Sequence, residues 1–148
     1  MRILVINGPN INFLGIREKQ IYGTHNYEYL IQLLDKKSKE NNIIIDTFQS
    51  NTEGEIINRI QQAHLDGING IIINPGAYTH YSYAIRDALA SIDMPKIEVH
   101  ISNVHKREEF RHISVIACEC NGQIVGLGLQ GYLLAVDAII NINLMNQQ

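Results

Sequence analysis

The chain has 148 residues, with 45% hydrophobic and 18% charged; this is the size of one ordinary domain, and the balance excludes disorder and permits a single core. A formal net charge of −3 argues against broad nucleic-acid binding. No apolar stretch approaches the ~20 residues that span a bilayer, no signal-peptide pattern opens the chain, and Cys118 and Cys120 stand too close together for an easy disulfide, so a reduced cytoplasmic protein is expected.

Five short apolar runs punctuate the chain: Ile3–Ile6, Ile43–Ile45, Ile71–Ile73, Ile97–Val99 and Ile124–Leu129. They are β-branched and hardly alternate, as expected of strands buried on both faces of a parallel sheet. After the first run comes a connection of about 17 residues, far longer than the usual 2–6, which reads as an active-site lid over roughly residues 11–24. Tyr27, Leu30, Ile31 and Leu34 then have helical spacing, and Lys36, Lys37 and Lys39 follow. Beyond the second run, Ser50 and Thr52 precede Glu53 and Glu55 by three residues each, so either pair fits a capping box. Ile56, Ile60 and Ala63 make the next stripe, with Gly67 as its C-terminal cap. A third helix carries Ile85, Leu89 and Ile92, and Pro95 stops it. The last helix starts near Gly131 with Leu133, Val136 and Ile140, and is apolar on more than one face, which points to a buried helix or a subunit interface. Strand and helix alternate about five times. The expectation is one domain over residues 1–148, an α/β doubly wound five-stranded parallel sheet of flavodoxin-like order 2-1-3-4-5.

In such a sheet the ligand lies beyond the carboxyl ends of the strands. The first strand is followed there by Asn7-Gly8-Pro9-Asn10-Ile11-Asn12 and, further along the loop, Arg17, Glu18, Tyr22 and Gly23. The third is followed by Asn74-Pro75-Gly76-Ala77-Tyr78-Thr79-His80. The fourth runs into Glu98-Val99-His100-Ile101-Ser102-Asn103, with Arg107 and Arg111 beyond. Taken singly, these are turn residues, a strand-end histidine, a solvated arginine and a packing tyrosine. Gathered at one end of one sheet, they suit a small, oxygen-rich, anionic substrate.

Two other motifs are set aside. Gly126-Leu127-Gly128-Leu129-Gln130-Gly131 matches G-x-G-x-x-G, but only 17 residues follow, too few for the βαβ unit of a dinucleotide site; close packing of the last strand on the last helix is the better reading. The six histidines show neither H-x-x-x-H nor H-E-x-x-H spacing, so no metal is expected.

The ordered series Ile6–Gly15, Arg17-Glu18, Tyr22-Gly23, Asn74–His80, Arg86-Asp87-Ala88, Ile97–Asn103, Arg107–Arg111, Gly126-Leu127-Gly128 and Gly131-Tyr132 resembles the type II 3-dehydroquinate dehydratases over nearly the whole chain. The resemblance implies a cofactor-free lyase acting on 3-dehydroquinate by anti elimination through an enolate. It implies Tyr22 as the base, Arg17 stabilising its phenolate, Asn10 holding a water on the enolate oxygen, His100 as the acid and Glu98 orienting His100. Asn74, Ile101 and Ser102 would bind the carboxylate, and His80, Asp87 and Arg111 the ring hydroxyls. It further implies a homododecamer, a tetramer of trimers, in which Asp87 reaches a neighbour's site. Where this chain has Lys19 the family usually has proline, which would restrict the loop. A flavodoxin-like small-ligand binding module shares the fold and is the alternative, although a phosphate site of that kind would want a short Ser/Thr/Gly-rich first loop.

Overall fold

The central strands form around buried β-branched residues. In the computed structural model, which describes residues 1–22 and 24–147, these are β1 (Arg2–Asn7), β3 (Gly70–Asn74) and β4 (Lys96–His100). Gly23, Gln148 and the side chain of Tyr22 lie outside the described residues. The edge strands β2 (Ile44–Gln49) and β5 (Gly122–Val125) are only partly buried. All pairings are parallel and the strand order is 2-1-3-4-5, as the alternation of runs predicts. The fifth strand is shorter than its apolar run. Gly126 and Gly128 adopt φ of +83° and +59°, a left-handed backbone that ends the extension.

The helices divide between the two faces because successive strand side chains point to opposite sides. Ile3, Val5, Ile72, Ile97 and Val99 face α2 (Tyr27–Asn41) and α5 (Gln130–Met145). Leu4, Ile6, Ile71 and Ile73 face α3 (Glu53–Leu65) and α4 (Tyr83–Ala90). Each fully buried Ile or Leu in these layers contributes about 1.5–3 kcal/mol, so the sheet is held from both sides.

Several local expectations shift. Neither capping box forms: the Ser50 hydroxyl contacts Glu55 and accepts the Thr52 N–H at 2.9 Å, and Thr52 stands at the N-cap without a side-chain bond. Gly67 does terminate α3, with φ +67°, and the following N–H of Ile68 reaches the Ala63 carbonyl at 3.1 Å. Ile92 is buried but lies past the end of α4. On α5 the inward stripe is Tyr132, Ala135, Val136 and Ile139 rather than Leu133, Val136 and Ile140, because the tyrosine is drawn inward by polar partners described below. Between β4 and β5, where the sequence offers no helical stripe, the chain makes three 3-10 turns, Val104–Lys106, Glu109–His112 and Ala117–Glu119. The long first connection is not featureless either. It holds a 3-10 turn at Ile11–Phe13 and a single helical turn, α1, at Lys19–Tyr22.

Candidate active site

The strand order reverses between β1 and β3, and there Asn7 and Asn74 lie side by side as register partners at the strand ends. Both are buried. The Tyr132 hydroxyl joins them, donating to Asn7 Oδ1 at 2.6 Å and accepting from Asn74 Nδ2 at 2.8 Å. Burial, partly offset by Asn74, pushes the Tyr132 phenol far above its ordinary pKa, so it stays neutral. The turns after β1 and β3 touch through backbone. Gly8 N–H donates to the Asn74 carbonyl at 2.7 Å, and a Cβ on Gly8 would sit 2.5 Å from the Pro75 carbonyl oxygen. Only glycine permits that approach.

Above this floor lies a cavity of about 170 Å³. Among the residues that line it, Asn10, Arg17, Asn74, His80, His100, Ile101, Ser102 and Arg111 were expected from the sequence. Asn10 takes a left-handed φ of +68° and donates its N–H to Asn51 Oδ1 at 3.0 Å. The glycine pair after β5 steadies the tail of β4: Gly126 and Gly128 N–H groups donate to the His100 and Ile101 carbonyls at 3.2 and 3.0 Å. The non-nucleotide reading of those glycines therefore has a structural role.

Glu98 does not line the cavity. It is wholly buried behind His100, whose Nε2 lies 2.6 Å from Glu98 Oε1. Burial would push this carboxyl up. The hydrogen bond and charge of His100, with the hydroxyls of Thr79 and Ser114, outweigh burial and hold it below the usual carboxylate value. With Nε2 committed to the carboxylate, Nδ1 is the ring nitrogen left for the cavity. His80 is arranged the other way. Its Nδ1 faces the Ile113 carbonyl at 2.8 Å, and a carbonyl only accepts, so Nδ1 carries the proton. Burial is the largest influence on His80 and lowers its pKa, so it is neutral near pH 7.

Asp87 is exposed on α4 and is not brought to this cavity. Tyr22 ends α1, but its side chain lies outside the described residues. Arg107 was noted in the sequence without a role, yet it lines the cavity. Its side chain is only 8% exposed and its Nη2 stands 3.7 Å from Glu18 Oε2, the same oxygen that Arg17 Nη2 meets at 2.7 Å. Thr79 stands in the segment after the third strand without a role read for it, and nothing in the sequence points to Ser114. Three guanidiniums and two imidazoles around a small cavity can bind a carboxylate and hydroxyls, stabilise a developing oxyanion and deliver a proton.

A family model described as dehydroquinase class II matches residues 1–140. The chain is 75% identical over 144 residues to a protein named 3-dehydroquinate dehydratase from Lachnoclostridium phytofermentans, covering 97% of this chain and 99% of that one. A protein of the same name from Lachnospira eligens is 63% identical over 143 residues, covering 96% and 97%. The crystal structure of a type II dehydroquinase from Butyrivibrio crossotus superposes with a TM-score of 0.93 at 65% identity, covering 94% and 97% of the two chains. One from Propionibacterium acnes gives 0.90 at 45% identity, covering 93% and 94%.

Proposed function

The chain belongs to the class II dehydroquinases, and from that premise we propose how its residues dehydrate 3-dehydroquinate to 3-dehydroshikimate in the shikimate pathway. Tyr22, as phenolate, takes the proton from carbon 2. The electron pair left behind moves onto the carbon 3 ketone to give an enolate. As the enolate collapses, a double bond forms between carbons 1 and 2, and the carbon 1 hydroxyl leaves with a proton from His100 as water.

The observation that carries this reading is the pair of Glu98 and His100, 2.6 Å apart, at the edge of a cavity lined by guanidiniums. Hydroxide is a poor leaving group, so the second step needs an acid, and a histidine held by a buried carboxylate supplies one. A tyrosine titrates near ~10 and must come down by about 2–3 units to act near neutral pH, and a guanidinium within ~4–6 Å produces shifts of about that size. Arg17 has that role, and Arg107 adds a second positive charge to the same wall. Asn10 holds a water on the enolate oxygen. Asn74, Ser102 and the backbone of Ile101 take the carboxylate; His80 and Arg111 take ring hydroxyls. Asp87, outside its own cavity, serves a neighbouring subunit in a dodecamer, a tetramer of trimers. The exposed Tyr81, Tyr83, Phe110 and Ile113 support such packing, and light scattering that gives a fully active monomer would refute it. The enzyme works in the cytoplasm without a cofactor. Among the described residues no helix is long and apolar enough to cross a membrane.

The test is direct. The protein is mixed with 3-dehydroquinate and conjugated-enone absorbance is followed. Tyr22→Phe loses nearly all turnover while still binding product, and His100→Asn stalls after proton exchange at carbon 2. Near-normal turnover in either variant removes that residue from its role.

A further inference from the structure

Glu98 is fully buried and ionised, and its surroundings explain how. Three side chains meet it. His100 Nε2 and the Thr79 hydroxyl reach Oε1, and Ser114 Oγ lies 2.9 Å from Oε2 and 3.0 Å from Oε1. The polarity of the cluster is set by Ser114. Its oxygen accepts the N–H groups of Ala117 at 3.0 Å and Ile116 at 3.3 Å, so its own O–H is left to donate to the carboxylate. Thr79, 3.0 Å from that oxygen and almost wholly buried, also directs its proton to Glu98. Both hydroxyls are donors, so among these partners a protonated Glu98 would have only an unprotonated His100 Nε2 to donate to.

We propose that Thr79 and Ser114 are positioning residues that set the acid strength of His100 by sharing the charge of Glu98. This rests on the reading of His100 as the acid. A carboxylate facing the imidazole alone would hold the imidazolium's protons tightly and make it a weak acid. Two hydroxyls draw off part of its charge, so Glu98 fixes the ring and its tautomer while His100 can still release the Nδ1 proton to the leaving hydroxyl.

The other ionisable groups nearby do not substitute for this pair. His80, across the cavity, is neutral. The Cys120 thiol, past the 117–119 turn, is pushed up to about 12, mainly by burial, and stays neutral. Lys96, two residues earlier on β4, donates to the Leu89 and Ile92 carbonyls at 3.1 and 2.5 Å. Arg107 and Arg111 stand on the cavity wall.

The sign of one pH limb separates this role from a merely structural one. A lost hydroxyl leaves the carboxylate more basic and raises the His100 pKa, whereas a displaced Glu98 would release His100 and lower it. The experiment compares Ser114→Ala and Thr79→Val with the hydroxyl-keeping Ser114→Thr and Thr79→Ser, all as the assembled enzyme. In the first two, kcat should fall about three- to tenfold with KM within about threefold, and the alkaline limb of kcat should move up by about one pH unit. The hydroxyl-keeping variants should restore both. Ser114→Ala also uncovers two backbone N–H groups; if it does not fold, Thr79→Val decides alone. Titration of His100 by 15N NMR in the resting enzyme should show the same upward shift without turnover, so it still reads the hydroxyls if His100→Asn proves His100 not to be the acid. A limb and a His100 titration that stay put, or move down, overturn the proposal.

Discussion

Replacing Tyr132 by Phe removes one oxygen from the middle of the molecule, and the structure sets the size of the effect. The ring is fully buried, so its packing on the sheet is kept. What is lost is the acceptor for Asn74 Nδ2 and the donor to Asn7 Oδ1. Each buried polar group left without a partner costs about 1–3 kcal/mol. Part of that is offset because the phenol's own hydroxyl no longer has to be buried, also worth about 1–3 kcal/mol. A net loss of about 2 kcal/mol follows, which for a urea slope of about 2 kcal/mol per M lowers the midpoint by about 1 M. Wild type and variant must be unfolded at one protein concentration, because assembly contributes to apparent stability. A double-mutant cycle with Asn74→Ala should be non-additive, since the first change already removes part of what the second removes. The variant should also resist alkali better. A phenol whose folded pKa is raised contributes stability that is complete below the ordinary value near ~10 and is lost as pH rises past it. A midpoint within about 0.2 M of wild type, or strict additivity, would show that the hydroxyl does not bind the two strand ends together.

Three further outcomes are expected. Stability should fall in two stages on acidification, below about pH 6.5 for His80 and below about pH 4.5 for Glu98, because lowered folded pKa values give stability that is present above the unfolded values and lost as pH drops through the folded ones; His80→Asn should flatten the upper stage in urea midpoints measured across the range. Arg17→Ala should move the acid-side limb of kcat/KM, set by deprotonation of the base, upward by about 1–2 units; an unmoved limb contradicts the pairing with Tyr22. Trypsin should cut the resting enzyme first after Arg17 or the exposed Lys19, a carboxylate substrate analogue should protect it, and Lys19→Pro should slow cutting with little change in the chemical step; equal resistance of loop and core would end the lid reading.

The strands β1 and β3 were legible because burial on both faces leaves only apolar, mostly β-branched side chains in their centres, while β4 shows through Ile97 and Val99 on either side of the buried Glu98. Strand β5 was read too long because Leu127 and Leu129 continue the apolar run, and composition does not reveal that Gly126 and Gly128, each just before one of them, turn left-handed. The stripe on α5 was misplaced for a different reason: Tyr132 turns inward for its polar tip, which a hydrophobic pattern does not encode. The 3-10 turns between β4 and β5 have no periodicity to find. At the site, strand-end residues such as Asn74 and His100 follow from the rule of the sheet. Thr79 and Ser114 lie 19 and 16 residues from Glu98, and only the packing of three segments brings them together. Asp87 carried a role from the family resemblance, while its place on the outer side of α4 is set by the helix.

The direct contact between the turns at Gly8 and Pro75 has a consequence for ligand design. Where two backbones touch with no side chain between them, there is no rotamer to swing aside and no methyl group to trim. Pro9, Asn74 and Gly76, which line the cavity beside this contact, are therefore held on a fixed base, and an inhibitor that extends a substituent past them must displace the ends of two central strands. Room for a larger ligand lies on the other side, toward the 11–24 connection, where a single turn of helix and exposed side chains can yield. Analogues of the ring acid should gain affinity by growing in that direction and lose it by growing toward the floor.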